Sequence, residues 1–308
     1  MNQITLSQTI EGYTIAAQAR RLSPRTLADY ANTFRKLTKH LKGDPRITSI
    51  TVEQMRGFLA KQTGISKKTL LNMHIALSAL WTWATAEGLV PHNILHDIPK
   101  PKPEQRAIEP LTEADVHAIL GSLAKSRTYS RPGKRECQHA LGSSERNRAI
   151  ILVLLDTGIR AIELCELNIA NVDLQNKRML VMGKGAKERV VPIAAATAQA
   201  LWRYLSSRPK DSANSRVFVS SSGHSMDRDD LFKLLARIGR RAGVVKVHPH
   251  RFRHTFAINF LRNGGNAYAL QMVLGHSTME MVRRYLALAQ ADVEAAHRQA
   301  SPVANWRL

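Results

Sequence analysis

NVDLQNKRMLVMGKGAKERVVPI, residues 171–193, changes the character of a chain that otherwise reads as helix. RMLVM (178–182) and RVVPI (189–193) are short runs of strand type, and GKGAKE between them carries turn glycines, so the pair predicts a β-hairpin. Just upstream, RNRAIILVLLDTGIRAIELCEL (146–167) reads as two buried helices broken at Asp156-Thr157-Gly158. After Pro192 the pattern is helical again almost to the end, with Asn263-Gly264-Gly265 and Gly275 as helix stops. One small antiparallel sheet set among helices defines a mainly α, α+β domain.

Further upstream, PKPKPEQRAIEP (Pro99–Pro110) has the composition of an extended linker. A new helix begins after it at Thr112, with acidic residues in its first turn. The first hundred residues read as helices only. Ser23-Pro24 is an N-cap followed by Pro at the first helical position. Leu27, Tyr30, Phe34, Leu37 and Leu41 then recur at helical spacing. Ser66 can cap a second helix whose inward face is Leu70, Met73, Leu77, Leu80, Trp81 and Ala84. The predicted organisation is a helical domain over 1–98, a linker over 99–110 and the α+β domain over 111–308. Residues 121–146 read as a long basic surface loop.

Lys and Arg number 45 against 24 Asp and Glu, a net charge of +21. Such an excess repels itself and makes sense chiefly when a polyanion neutralises it. Both halves share it, with 14 basic against 7 acidic residues over 1–104. In the first half Arg25, Arg35, Lys36, Lys39, Lys67 and Lys68 lie opposite the apolar stripes. No apolar run reaches the roughly 18 residues of a membrane span, and MNQITLSQTIEGY lacks the basic-then-apolar order of a signal peptide. Only Cys137 and Cys165 occur, too few for a disulfide framework, so a reducing cytoplasm is expected and Cys165 is read as core.

Four segments carry chemistry, each weak alone. Arg160 follows the Gly158 break inside an apolar stretch, where a guanidinium needs an anion. Glu163, three residues on, could supply it as a purely structural pair. Gly183-Lys184-Gly185-Ala186-Lys187 lies at the hairpin tip, where Gly and Lys are common without function. It lacks the spacing of a phosphate-binding P-loop and the helix that follows one. In His248-Pro249-His250-Arg251-Phe252-Arg253-His254, His250 and Arg253 share a helix face at i, i+3, and Phe252, Phe256 and Phe260 mark the buried face. His250 and His254 have the i, i+4 spacing of metal ligands, but the Glu of an HExxH site is missing. Leu274-Gly275-His276-Ser277 precedes Tyr285, which alone would pass for an amphipathic core residue.

Together and in this order, these Arg–Glu, GKG, HxxR, LGH and RRY segments resemble the tyrosine recombinase (phage integrase) family, most strongly over 111–287. The helical first domain resembles, more weakly, the family's core-binding, SAM-like domain. The resemblance implies a two-domain, C-shaped clamp around double-stranded DNA. It implies a site-specific recombinase or integrase that acts as a DNA-bound homotetramer through a Holliday junction. Arg160, Lys184, His250, Arg253, His276 and Tyr285 match the catalytic set, and Glu163 matches an acidic position that braces the first Arg. By the same resemblance Tyr285 is the nucleophile and forms a 3′-phosphotyrosine, His250 the base, His276 a donor to phosphate, and Lys184 the acid for the departing 5′-oxygen. Attack on a phosphodiester builds negative charge on the non-bridging oxygens, which two guanidinium forks can stabilise, so neither metal nor cofactor is expected. Arg25, Arg35, Lys36, Lys67, Lys68, Lys187 and Arg251 are further candidates for DNA contact. A type IB topoisomerase and a catalytically idle DNA-binding protein of the same fold are the competing readings. The segment STMEMVRRYLAL is closer to integrases of phages and mobile elements than to chromosome-dimer resolvases. The apolar tail end with Trp306 and Leu308 can cap its own core or dock on a neighbour, and the resemblance to a family that exchanges C-terminal elements implies the second.

Overall fold

The computed structural model describes residues 4–104, 108–124, 142–183, 188–208, 215–220, 223–276, 278–289, 297 and 301–305. The chain divides into two compact units, Met1–Ala107 and Ile108–Leu308. None of the described helices is long and apolar enough to cross a membrane.

The first unit is built on helices α1 (Leu6–Ala19), α2 (Pro24–Leu41), α3 (Val52–Ala60) and α4 (Lys67–Ala86). Ser23 and Ser66 cap α2 and α4 by accepting from the backbone N–H of Thr26 and Thr69, which satisfies donors the helix itself cannot. Phe34 and Leu37 of α2 and Met73, Leu77, Leu80, Trp81 and Ala84 of α4 are buried in one core. Tyr13 joins it edge-on to Phe34 and Trp83. The polar faces stay in solvent, where Arg25 pairs with Asp29 and Lys67 with Glu104.

In the second unit, α5 (Glu113–Gly121) starts from a capping box between Thr112 and Asp115. Residues 125–141, most of the expected basic loop, lie outside the described residues. Helix α6 (Ser144–Thr157) ends at Gly158 and α7 (Ala161–Cys165) follows. Strands β1 (Val172–Asp173), β2 (Arg178–Met182) and β3 (Glu188–Pro192) form an antiparallel sheet in that order, with Met179 opposite Val191 and Val181 opposite Arg189. Met179, Val181 and Val191 face the core and their neighbours face outward, the period of two that one-sided burial imposes. The hairpin tip at 184–187, with Lys184 and Lys187, lies outside the described residues. Cys165 is buried, and burial pushes its thiol up to about 12, so it packs as an inert apolar group.

Helices α8 (Ala195–Ser207), α9 (Arg228–Ala242), α10 (Pro249–Arg262), α11 (Ala267–Leu274) and α12 (Glu280–Ala289) complete the unit. Two expectations need correction. The chain beyond Pro192 is not helical throughout: between α8 and α9 the described residues include two isolated bridges, Asn168–Arg216 and Val219–Ser225. There Val217, Phe218 and Val219 are buried, as a β-branched and aromatic run favours, and Gly223 turns the chain at φ 81°. Of the three phenylalanines on α10 Phe252 is fully buried, whereas Phe256 and Phe260 are half-buried. The helix lies between two clusters, and Ala257, Ile258 and Leu261 supply its face toward α11 and α12.

Candidate active site

Gly158 is the pivot of the site. Its φ of 59° ends α6, and a β-carbon there would stand 2.6 Å from Phe256 and 2.9 Å from Leu274. The break therefore lets the α6–α7 turn close onto α10 and α11. That approach places Arg160, the N-cap residue of α7, beside the C-terminal end of α11, where Arg160 Nη2 donates to the Gly275 carbonyl at 3.0 Å. Arg253 of α10 donates to the Gly158 carbonyl through Nη1 and to the Leu274 carbonyl through Nη2, both at 2.8 Å. Only 5% of Arg253 is exposed. Burial, reinforced by Arg160, lowers its pKa to about 10, so it still carries its charge at neutral pH.

Glu163, one turn into α7, is braced by more than the sequence suggested. It accepts from the Arg160 backbone N–H and from Arg160 Nη1, both at 2.8 Å, and also from Arg189 Nη1 at 3.0 Å and Nη2 at 2.8 Å. Its side chain is 1% exposed. Burial alone would raise its pKa, but these hydrogen bonds and the Arg189 charge hold it below the usual carboxylate value. Arg189 of β3 also donates from Nε to the Val273 carbonyl. Gly275, in the left-handed region at φ 64°, passes so close that a β-carbon would lie 3.0 Å from the Arg189 guanidinium. Arg189 was absent from the sequence-derived set. Its signal was a charged residue two positions before buried Val191, hence on the inward face of a strand. Three guanidiniums around one carboxylate leave an excess of positive charge, which calls for an anion.

His276 follows the Gly275 cap. Its Nε2 lies 2.7 Å from Arg253 Nη2. Guanidinium only donates, so this nitrogen is the acceptor and the proton sits on Nδ1, which is buried without a partner among the described residues. Burial, then the charges of Arg253 and Arg160, lower the His276 pKa to about 4. The ring stacks on Tyr285 with an interplanar angle of 15°. Tyr285 lies on α12, 1% exposed, in the cluster with Ala257, Ile258, Leu270 and Leu274. Burial raises its phenol pKa, and the Arg253 charge offsets part of that rise.

The structure thus brings Arg160, Glu163, Arg253, His276 and Tyr285 together. His250 is exposed on α10, its pKa lowered by the protein packed around it and by Arg253, Arg228 and Arg160. The imidazole on the Tyr285 hydroxyl is that of His254, with Nδ1 at 2.9 Å from Oη. Arg251, expected to contact DNA, turns inward. Its guanidinium reaches the carbonyls of Val245, Glu109 and Pro110 and the Asp115 carboxylate, and its side chain is 12% exposed. These bonds tie α10 to the residues that lead into α5.

A surplus of guanidinium charge beside a phenol can hold an anionic group next to a possible nucleophile. The phage integrase family model matches residues 135–292, and the model of the phage integrase N-terminal SAM-like domain matches 10–88. Tyrosine recombinase XerC of Alcanivorax borkumensis is 30% identical over 307 residues, covering 97% of this chain and 95% of that protein. Tyrosine recombinase XerD of Mycobacterium tuberculosis is 27% identical over 299 residues, covering 91% and 93%. Among solved structures, the Tn1549 transposon integrase in complex with transposon right end DNA matches with a TM-score of 0.74 at 22% identity, covering 97% of this chain and 99% of that one. The chain belongs to the phage integrase family: it is a tyrosine recombinase, an enzyme that cleaves and rejoins DNA at specific sites.

Proposed function

We propose that Tyr285 is the nucleophile of this recombinase and that Arg160 and Arg253 hold the scissile phosphate. The observation that carries the reading is the charge balance of the site, where a buried carboxylate answers only part of the charge of three arginines. A phosphodiester brings one negative charge and its five-coordinate transition state a second. Preorganised donors that meet charge as it develops are the largest catalytic term in such sites. Glu163 fixes the planes of the Arg160 and Arg189 forks, so little reorganisation remains for the moment of attack. The arginines supply the charge stabilisation that a metal ion gives elsewhere, and the reaction is proposed to need none.

In this reading the phosphate takes over donors that now face the carbonyls of Gly275 and Leu274 and the ring of His276. Tyr285 must be uncovered as DNA seats, because its hydroxyl is now internal. Attack forms the Tyr285 Oη–phosphorus bond and breaks the bond to the 5′-oxygen. The phenol proton leaves toward a base, assigned to His250 by the family pattern, and Lys184 protonates the 5′-oxygen. His276, once Nε2 is free of Arg253 and the ring proton has moved to it from Nδ1, donates to phosphate. The 3′-phosphotyrosine retains the bond energy until another 5′-hydroxyl attacks.

We place the partner as double-stranded DNA carrying a specific site, bound by both units. Arg25, Arg35, Lys36, Lys67, Lys68 and Lys187 are proposed contacts, and the active form is a cytoplasmic homotetramer exchanging strands through a Holliday junction. The helical core-binding unit, the linker and the catalytic unit divide this work at 1–98, 99–110 and 111–308. The reading is tested with nicked duplexes of randomised sequence, from which the parent protein traps its own substrate covalently. Tyr285→Phe should leave affinity for the recovered duplex within a few-fold and abolish the denaturant-resistant adduct. An adduct formed by the Phe variant would place the nucleophile elsewhere. Trapping without sequence enrichment would indicate a topoisomerase.

A further inference from the structure

Among the described residues that contact Tyr285, one has no part in the mechanism above. His254 follows Arg253 on α10, and its Nδ1 is 2.9 Å from Tyr285 Oη, with ring centroids 5.7 Å apart. We infer that His254 is a positioning residue, whose neutral imidazole accepts the Tyr285 hydroxyl hydrogen and sets the direction of Oη within the site. This rests on Tyr285 being the nucleophile.

The direction of the bond follows from the surroundings. Tyr285 is enclosed by Ala257, Ile258, Leu270 and Leu274, so a phenol that only accepted would leave its own hydrogen unpaired among apolar groups, a costly arrangement. The hydroxyl therefore donates, Nδ1 accepts, and the His254 proton resides on Nε2. The neighbours keep the ring neutral. Burial, then His250, His248 and Arg253, bring its pKa down to about 4. A group that weakly basic beside a phenol whose pKa is raised is a poor destination for the proton, since an effective general base has a pKa near the working pH. Seating, rather than proton removal, is the role that fits. Adjacency adds a mechanical reason. Arg253 faces the carbonyls of Gly158 and Leu274 while His254 faces Tyr285, so one turn of α10 fixes a phosphate-binding fork and the attacking oxygen together. His276, stacked on the same phenol ring and bonded to Arg253, closes the arrangement from the other side.

The test uses the full chain and the nicked duplex recovered by covalent trapping. With protein saturating, His254→Leu, similar in bulk and without an acceptor, should slow adduct formation at least tenfold while duplex affinity stays within threefold. His254→Asn can place Oδ1 near the position of Nδ1 and should restore the rate to within threefold of the parent. The parent itself provides a reading that no folding defect can blur: ¹⁵N spectra of labelled histidine should show His254 protonated on Nε2. An Nδ1-protonated His254, a Leu variant as fast as the parent, or an Asn variant as slow as a folded Leu variant would each overturn the inference. Tyr285→Phe runs alongside: an adduct in that variant defeats the nucleophile assignment, whereas failure confined to the His254 variants defeats only the positioning role.

Discussion

Glu163 binds two guanidiniums at once, and its removal separates structural from catalytic effects. In Glu163→Ala, Arg160 and Arg189 lose their shared counter-charge in a site that already holds Arg253. Breaking a buried ion pair by deleting one partner costs about 3–5 kcal/mol, and that loss is expected in urea denaturation at pH 7. Adduct formation should fall further than the stability change explains, because Arg160 no longer has a fixed plane. A denaturation midpoint equal to the parent's would show that water can replace the carboxylate there. Tyr285 shows the limit of reading residues singly: on α12 it packs like any core tyrosine, and only the polar groups at its edge set it apart from one.

At the scale of elements, the site is an assembly of ends. It is made from the break between α6 and α7, the C-terminal end of α11, one turn of α10, the inward face of β3 and the middle of α12. Lys184, proposed as the general acid and lying outside the described residues, has the assignment that is easiest to separate chemically. General acid catalysis contributes roughly 10²–10⁴-fold, so Lys184→Ala should slow cleavage by about that factor. With sulfur in place of the bridging 5′-oxygen, the leaving thiol has a pKa of about 8.5 and can depart without a proton. That substrate should restore cleavage by Lys184→Ala and do nothing for Tyr285→Phe. Lys187, on the same connection, is the control. Rescue of Lys187→Ala in place of Lys184→Ala would transfer the role, and rescue of neither would leave the hairpin a purely binding element.

For the whole molecule, the depressed histidines link stability to pH. His254 and His276 have folded pKa values of about 4, below the unfolded value of about 6.5. Between these limits the unfolded chain binds protons that the folded chain refuses, so stability is full above about pH 6.5 and declines as pH falls toward 4. Glu163, held below its ordinary value, adds its loss only at lower pH. Denaturation midpoints are therefore expected to drop between pH 7 and pH 5. A flat profile over that range would mean that neither imidazole is kept neutral by the fold. Trp306 and Leu308, on which the expected docking of the C-terminal tail rests, lie outside the described residues.

The sequence by itself determined the helical stripes, the caps at Ser23 and Ser66, the helix start at Thr112, the breaks at Gly158 and Gly275 and the pair of strands, because each depends on a period or a turn a few residues long. It also singled out Arg160, Glu163, Lys184, His250, Arg253, His276 and Tyr285 as candidates through segments in a fixed order. What it could not supply is which groups meet across the fold. The Arg189–Glu163 pair spans 26 residues and the His254–Tyr285 contact 31, and neither is implied by any local pattern. Arg251 stands in the same motif as Arg253, yet packing turned it toward Asp115 and the carbonyls beside it. Along one helix, which basic side chain faces a site and which braces the scaffold depends on what packs against each face, and tertiary structure alone decides that.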